Sequence, residues 1–249
     1  MPQVIAHRGD HQDLPENSLA AFEAAVRRGA HGIEFDIRLS SDGEPFVFHN
    51  FELDGISKES GPLVALDSNA LRRVELVSFD GLRHTIPSLH EVLDIAAGQT
   101  ILEMELKSLE PAVVSVTAAA LLPYQQHWEL MEITSFEPAL LRAMTDECSI
   151  AVDVLLPRHE PWMTPDYMAY SAVHRARLSE ARAVHLHVAQ LTPETVSAIR
   201  RESLDVHVHG VNGREDLDSV LELDISRFDT DHLDDVLSWL ADTKYEPAV

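Results

Sequence analysis

His7-Arg8-Gly9 sets an imidazole, a permanent cation and a residue without a side chain in consecutive positions after an apolar run. Imidazole exchanges protons near neutrality, guanidinium grips phosphate in a bidentate fork, and glycine lets other groups approach the backbone. A second apolar run carries Glu34 and Asp36, flanked by Ile33, Phe35 and Ile37. On an exposed strand such alternation marks a solvated face. Between neighbours bound for burial, the pair needs a cation, and a hard divalent metal is the usual one. Glu103, Glu105 and Lys107 repeat the pattern in a third run. Either glutamate can supply a third oxygen ligand, and Lys107 can hold a phosphate or neutralise a neighbouring carboxylate.

A turn should bring another histidine to the first carboxylate pair. Residues 33–39 are followed by Ser40-Ser41-Asp42-Gly43 and then Glu44-Pro45-Phe46-Val47-Phe48-His49. Asp-Gly between two alternating apolar runs signals a β-hairpin. A turn centred on Asp42-Gly43 sets Asp36 opposite His49, and the period of two puts Glu34 on the same face. One hairpin face is therefore expected to carry Glu34, Asp36 and His49.

These residues need a frame. Short apolar runs at 4–7, 32–38, 100–107, 130–135, 149–155, 183–187, 204–209 and 224–229 read as strands. Amphipathic segments at 18–28, 88–97, 111–122, 138–147, 166–179, 193–201, 214–223 and 232–240 read as helices. Thr192 before Pro193 is a helix cap followed by a first-turn proline. Eight strands alternating with eight helices make a parallel α/β fold. A (β/α)8 TIM barrel with an extra β-hairpin after the second strand is the economical closure, and a doubly wound open sheet is the alternative. Catalytic side chains sit at the strand ends of such a barrel, where His7-Arg8 falls. No Pro/Gly/Ser-rich linker or fixed-period repeat divides the chain, so 1–249 reads as a single domain.

Composition removes several function classes. Across 249 residues the formal charge is −23, which argues against nucleic acid or an anionic membrane surface as the main partner. Apolar residues at 45% and charged residues at 24% suit a globular chain rather than a disordered one. The single Cys148 excludes a disulfide framework, a CxxC pair or a multi-cysteine zinc site. The chain opens on strand-like residues, and its longest uncharged stretch, 111–128, contains Pro123, Gln125, Gln126 and His127. It is too polar to span a bilayer, so a soluble, cytoplasmic protein without stable membrane insertion is expected. No GxGxxG, Walker A or HExxH pattern occurs.

Taken in order, Ile5-Ala6-His7-Arg8-Gly9, Pro15-Glu16-Asn17-Ser18, Glu34-Phe35-Asp36, Val47-Phe48-His49, Ile86-Pro87-Ser88-Leu89 and Glu105-Leu106-Lys107 resemble the signature of the glycerophosphodiester phosphodiesterases. Thr134-Ser135-Phe136, Val211-Asn212 and Thr230-Asp231 carry the resemblance over nearly the whole chain. It implies a (β/α)8 barrel, in agreement with the pattern above. It also implies hydrolysis of glycerophosphodiesters to glycerol 3-phosphate and an alcohol, with one divalent cation, Mg2+ or Ca2+. By position, it makes Glu34, Asp36 and Glu105 the metal ligands, His7 and His49 the acid/base pair, and Arg8 and Lys107 the phosphate ligands.

Three positions depart from the family pattern. Asn50 stands where an Asp usually follows the second histidine, Gly55-Ile56-Ser57 replaces Arg-Thr-Thr, and His209 replaces the aromatic of Trp-Thr-Val-Asn. A smaller, titratable ring at His209, taken as a substrate contact, leads to the expectation of a weaker preference for glycerol. A phospholipase D-type enzyme or one acting on another phosphodiester is the alternative, followed by a non-catalytic barrel that binds a phosphodiester. The pairs His185/His187 and His207/His209 read as hydrogen-bonded imidazoles inside the barrel rather than as a second metal site. Residues 229–235 read as a solvated loop and helix start, Cys148 as a packing residue, and Trp162 and Tyr167 as mouth or packing residues.

Overall fold

Eight parallel strands close on themselves in the computed structural model, which describes residues 1–158 and 160–242. In chain order, β1 (Gln3–His7), α1 (Leu19–Arg28), β2 (Gly32–Leu39) and β3 (Pro45–Val47) lead to α2 (Ser68–Leu71) and α3 (Leu89–Ala96). Then come β4 (Ile101–Leu106), α4 (Ala112–Leu121), β5 (Met131–Ser135), α5 (Pro138–Glu147), β6 (Ala151–Leu155) and α6 (Pro165–Ser179). The last turns of the barrel are β7 (Ala183–His187), α7 (Pro193–Arg201), β8 (Asp205–His209), α8 (Arg214–Glu222), β9 (Arg227–Thr230) and α9 (Leu233–Asp242). The ring runs β1-β2-β4-β5-β6-β7-β8-β9 and returns to β1, with β3 antiparallel to β2 outside it. This is a TIM barrel with one extra strand, and the open-sheet alternative is set aside. The proposed domain limit at 249 lies outside the described residues. Among the described residues no helix is long and apolar enough to cross a membrane.

Local chemistry sets the helix boundaries. Ser18 accepts from Ala21 N at the start of α1, and Ser88 forms a capping box with Glu91 at the start of α3. Thr192 caps α7 as its sequence suggests. Outward strand residues, such as Ile33, Phe35 and Ile37 on β2 or Val184 and Leu186 on β7, join the core beneath the helices. The inward positions are polar instead: Glu34, Asp36, Glu103, Glu105, Glu132, Asp153, His185 and His207 are all buried. A lumen filled this way differs from the branched aliphatic filling usual for such barrels.

The hairpin exists, but its register differs from the expected one. Ile37 pairs with Val47, Arg38 with Phe46 and Leu39 with Pro45. Gly43, at φ 84°, follows a turn closed by Gly43 N donating to Ser40 O, so the loop holds three residues rather than two. That one-residue shift puts Phe48, not His49, level with Asp36, and Phe48 N donates to Asp36 O. The chain leaves the strand after Val47, and a separate apolar cluster of Phe46, Phe48, Leu53, Leu63, Leu71, Val74, Leu76 and Ile86 organises the insert that follows.

Candidate active site

Strand register builds the centre of the site. Parallel pairing sets His7 beside Glu34 and Asp36 beside Glu105. Glu34, Asp36 and Glu105 each bring an oxygen within 4.8 Å of the others. Lys107 Nζ lies 2.7 Å from Glu105 Oε2 and 3.4 Å from Asp36 Oδ1. Arg8 Nε lies 3.4 Å from Asp36 Oδ2, while Arg8 Nη1 donates to Glu16 Oε1 and Oε2 at 3.2 and 3.1 Å. Asn17 Nδ2 donates to Asp36 Oδ2 at 2.8 Å. The buried Asp36 Oδ1 has no hydrogen-bond partner among the described residues. With Glu16 counted, four carboxylates against two cations leave a net negative charge and an open oxygen, which fits a hard divalent ion.

The carboxylates show the strain of their crowding. Burial, then the charge of Asp36, pushes Glu34 up to about 8. The same two causes push Glu105 up to about 7 against the pull of Lys107. Burial also works to raise Asp36, but Lys107, Arg8, His49 and the Asn17 hydrogen bond outweigh it and hold Asp36 low.

The two histidines have different surroundings. His7 Nδ1 lies 2.6 Å from Asp231 Oδ1, and His7 Nε2 lies 3.8 Å from Glu34 Oε2. Burial alone would lower His7, yet the Asp231 hydrogen bond and the charges of Glu34 and Asp229 raise it to about 10. Asn212 Nδ2 holds the other Asp231 oxygen at 2.7 Å. His49 instead pairs Nδ1 with Asn50 Oδ1 at 2.8 Å, and burial lowers its pKa despite the opposing charge of Asp36. Arg38 Nε and Nη2 donate to the His49 carbonyl at 2.9 and 2.7 Å and fix its backbone.

The turn after β1 is equally constrained. Gly9 has φ +81°, and an added Cβ would lie 2.7 Å from the Ala21 backbone carbon. Arg8 N can then donate to Glu34 Oε2 at 3.2 Å. A cleft of about 330 Å³ opens above these groups, lined by His7, Arg8, Glu34, His49, Glu105 and Lys107 on one side. His187, His209, Gly210 and Asn212 line the other. The His209 and His187 rings meet edge to face at 5.1 Å, and the buried His209 Nε2 has no partner among the described residues. Burial, reinforced by His187, pushes His209 down to about 3.

A model of the glycerophosphoryl diester phosphodiesterase family matches residues 7–235. The chain belongs to that family. A family relative, a glycerophosphodiester phosphodiesterase from Caldanaerobacter subterraneus subsp. tengcongensis, is 26% identical over 92% of this chain and 93% of its own. One from Bacillus altitudinis is 27% identical over 94% and 96%. Among solved structures, an Oleispira antarctica phosphodiesterase in complex with the product sn-glycerol-3-phosphate has a TM-score of 0.84 and 24% identity, covering 97% of each chain. This chain is accordingly an enzyme, a phosphoric diester hydrolase of the family.

Of the residues expected from the family motifs, His7, Arg8, Glu34, His49, Glu105, Lys107 and His209 line the cleft, and Asp36 joins it through Glu34 and Glu105. Of the two carboxylates on β4, Glu105 joins the triad while Glu103 faces Glu132 and Arg227 deeper in the barrel. Gly55 does not line the cleft, and Trp162 and Tyr167 pack on each other at 4.9 Å away from it. Cys148 packs its sulfur 3.6 Å from Met144 Sδ. Residues 229–235 require correction. They are not simply a solvated loop, because Asp229 is buried and Asp231 pairs with His7. Asn17, Arg38 and Asp231 were missed as site residues. Asn17 and Asp231 lie within family motifs, whereas Arg38 carries no sequence signal.

Proposed function

We propose that this enzyme hydrolyses glycerophosphodiesters to glycerol 3-phosphate and an alcohol, with Mg2+ or Ca2+ held by Glu34, Asp36 and Glu105. The observation that carries this reading is a pair of histidines with different partners, His7 on the Asp231 carboxylate and His49 on the Asn50 amide, beside one buried carboxylate triad. The bound cation supplies charge stabilisation to the phosphate oxygens. Held there, it would also offset the carboxylates, whose charge a protein at −23 must counter in order to attract an anionic substrate. Arg8 and Lys107, fixed by the carboxylates beneath them, donate to the equatorial oxygens as phosphorus becomes five-coordinate.

Proton transfer follows from the hydrogen bonds. Asn50 Oδ1 accepts from His49 Nδ1, so neutral His49 keeps its lone pair on Nε2 and serves as the base for the attacking water. Asp231 accepts from His7 Nδ1 and keeps the ring charged, so His7 Nε2 gives its proton to the departing alkoxide. The complex of the Oleispira antarctica phosphodiesterase with sn-glycerol-3-phosphate supports a glycerol-containing product. The test is an assay of purified protein against a panel of phosphodiesters, with and without chelator and added Mg2+ or Ca2+. Release of glycerol 3-phosphate that stops in chelator is expected. Turnover that ignores chelator overturns the metal role.

His209 bears on selectivity. Its small ring lines the cleft where a larger aromatic would offer a flat apolar face. A methylene-sized contact is worth roughly 1–3 kcal/mol, so discrimination for glycerol is expected to be modest. His209→Trp should raise kcat/KM for glycerophosphodiesters relative to non-glycerol substrates by roughly tenfold. An unchanged substrate ratio removes His209 from the specificity argument.

A further inference from the structure

Below the triad, the β4, β5, β7 and β8 strands bring four more donors together. Glu103, Glu132, His185 and His207 each offer a ligand atom within 4.8 Å of the others, and all four are buried. Spacing along the strands favours two hydrogen-bonded imidazoles, and His207 Nδ1 does lie 3.1 Å from His185 Nε2. The surrounding carboxylates are not accounted for by that bond. Arg227 Nη1 meets Glu132 Oε2 at 2.6 Å and Glu103 Oε1 at 3.3 Å. Arg182 Nη2 meets the same Glu132 Oε2, and Arg182 Nε meets Asp153 Oδ1 at 3.2 Å. Both guanidinium groups thus serve the same oxygen of Glu132, and Arg182 also serves one oxygen of Asp153. The opposite oxygens, Glu132 Oε1 and Asp153 Oδ2, are buried without a hydrogen-bond partner among the described residues.

Those two orphaned oxygens face the imidazoles. His185 Nε2 lies 3.8 Å from Glu132 Oε1 and 3.5 Å from Asp153 Oδ2, and His207 Nδ1 lies 3.7 Å from Asp153 Oδ2. Ligands about 2.1 Å from a tetrahedral ion sit about 3.4 Å from one another; the 3.1 Å His207–His185 separation lies just below that spacing and the three above lie just over it. Three carboxylates against two guanidinium groups also leave a negative charge that a divalent ion would neutralise. We propose that His185, His207 and Glu132, completed by Asp153 and Glu103, form a second divalent-cation site inside the barrel. Its nitrogen-and-oxygen donor set selects borderline ions such as Zn2+ or Co2+ over Mg2+, unlike the all-oxygen triad above. Glu103 and His185 also line the floor of the active-site cleft, which gives the ion a route in.

The test is metal content rather than turnover, so it stands apart from the proposed hydrolysis. Metal-stripped protein is equilibrated with Zn2+ or Co2+, desalted and analysed by mass spectrometry. Two ions per chain are expected for wild type and one for Glu34→Ala, which disables the upper triad. X-ray absorption of Zn2+ in Glu34→Ala should show scattering from two imidazole rings. His207→Gln should weaken the inner ion more than about 100-fold, since loss of an outer-shell partner alone costs 10–100-fold. Wild type needs no folding control, and circular dichroism and melting temperature verify each variant. Absence of a bound ion or of a two-imidazole signal in Glu34→Ala, or a two-imidazole signal that persists in Glu34→Ala/His207→Gln, overturns the site and leaves an ion-pair network.

Discussion

Glu34→Ala is expected to lower kcat by at least about 10³-fold, because metal stabilisation of transition-state charge is worth several kcal/mol and each 1.36 kcal/mol is tenfold. The barrel should survive. Glu34 is crowded by Asp36, so its removal relieves repulsion among buried carboxylates. In chelator the melting temperature of the variant should equal or exceed that of wild type. The same crowding makes wild-type stability depend on pH. Glu34 is raised to about 8 and Glu105 to about 7, so in chelator the folded state binds more protons than the unfolded state. The stability these groups contribute is fully present below about 4.5 and is lost as pH rises through about 7 to 8. Added Mg2+ or Ca2+ should restore it, because an ion that binds the folded state stabilises it. Calorimetry across pH, with and without the ion, measures both effects. A flat pH profile in chelator, or full activity in Glu34→Ala, contradicts the triad's role.

His7→Ala and His49→Ala should each cost roughly 10²–10⁴-fold in rate, and they should respond differently to the leaving group. A nitrophenyl ester needs little protonation on departure. It should restore much of the activity of His7→Ala, the variant without the acid, and leave His49→Ala inactive. Equal responses would remove the assignment of roles. The pH profile of kcat/KM should be bell-shaped. Its acid limb belongs to His49, whose lowered pKa keeps it a base until pH falls below the usual histidine range. Its alkaline limb belongs to His7, active as an acid until pH rises through about 10. Asp231→Asn keeps a hydrogen-bonding group but removes the charge, and should lower the alkaline limb by about 1–3 pH units. A limb that stays in place would reduce Asp231 to a packing residue.

The barrel and much of its chemistry were legible in the sequence. Alternating apolar and polar residues in Glu34-Phe35-Asp36 and Glu103-Met104-Glu105 dictate both the strand and the face that turns inward, because side-chain direction follows the period of two. Ser18, Ser88 and Thr192 mark their helix starts through local hydrogen bonds, and Gly9 is demanded by a turn packed against Ala21. Tertiary structure decided what depends on contacts remote in sequence. Asp231 reaches His7 only because β9 closes the ring against β1, 224 residues away along the chain. His49 lies off the hairpin face because a three-residue turn shifts the register, and Arg38 then fixes its carbonyl. Glu105 rather than Glu103 joins the triad because the β2–β4 register levels Glu105 with Asp36, while Arg227 draws Glu103 toward the barrel interior. Periodicity tells a side chain which way to face, but the stagger between strands decides which groups meet there.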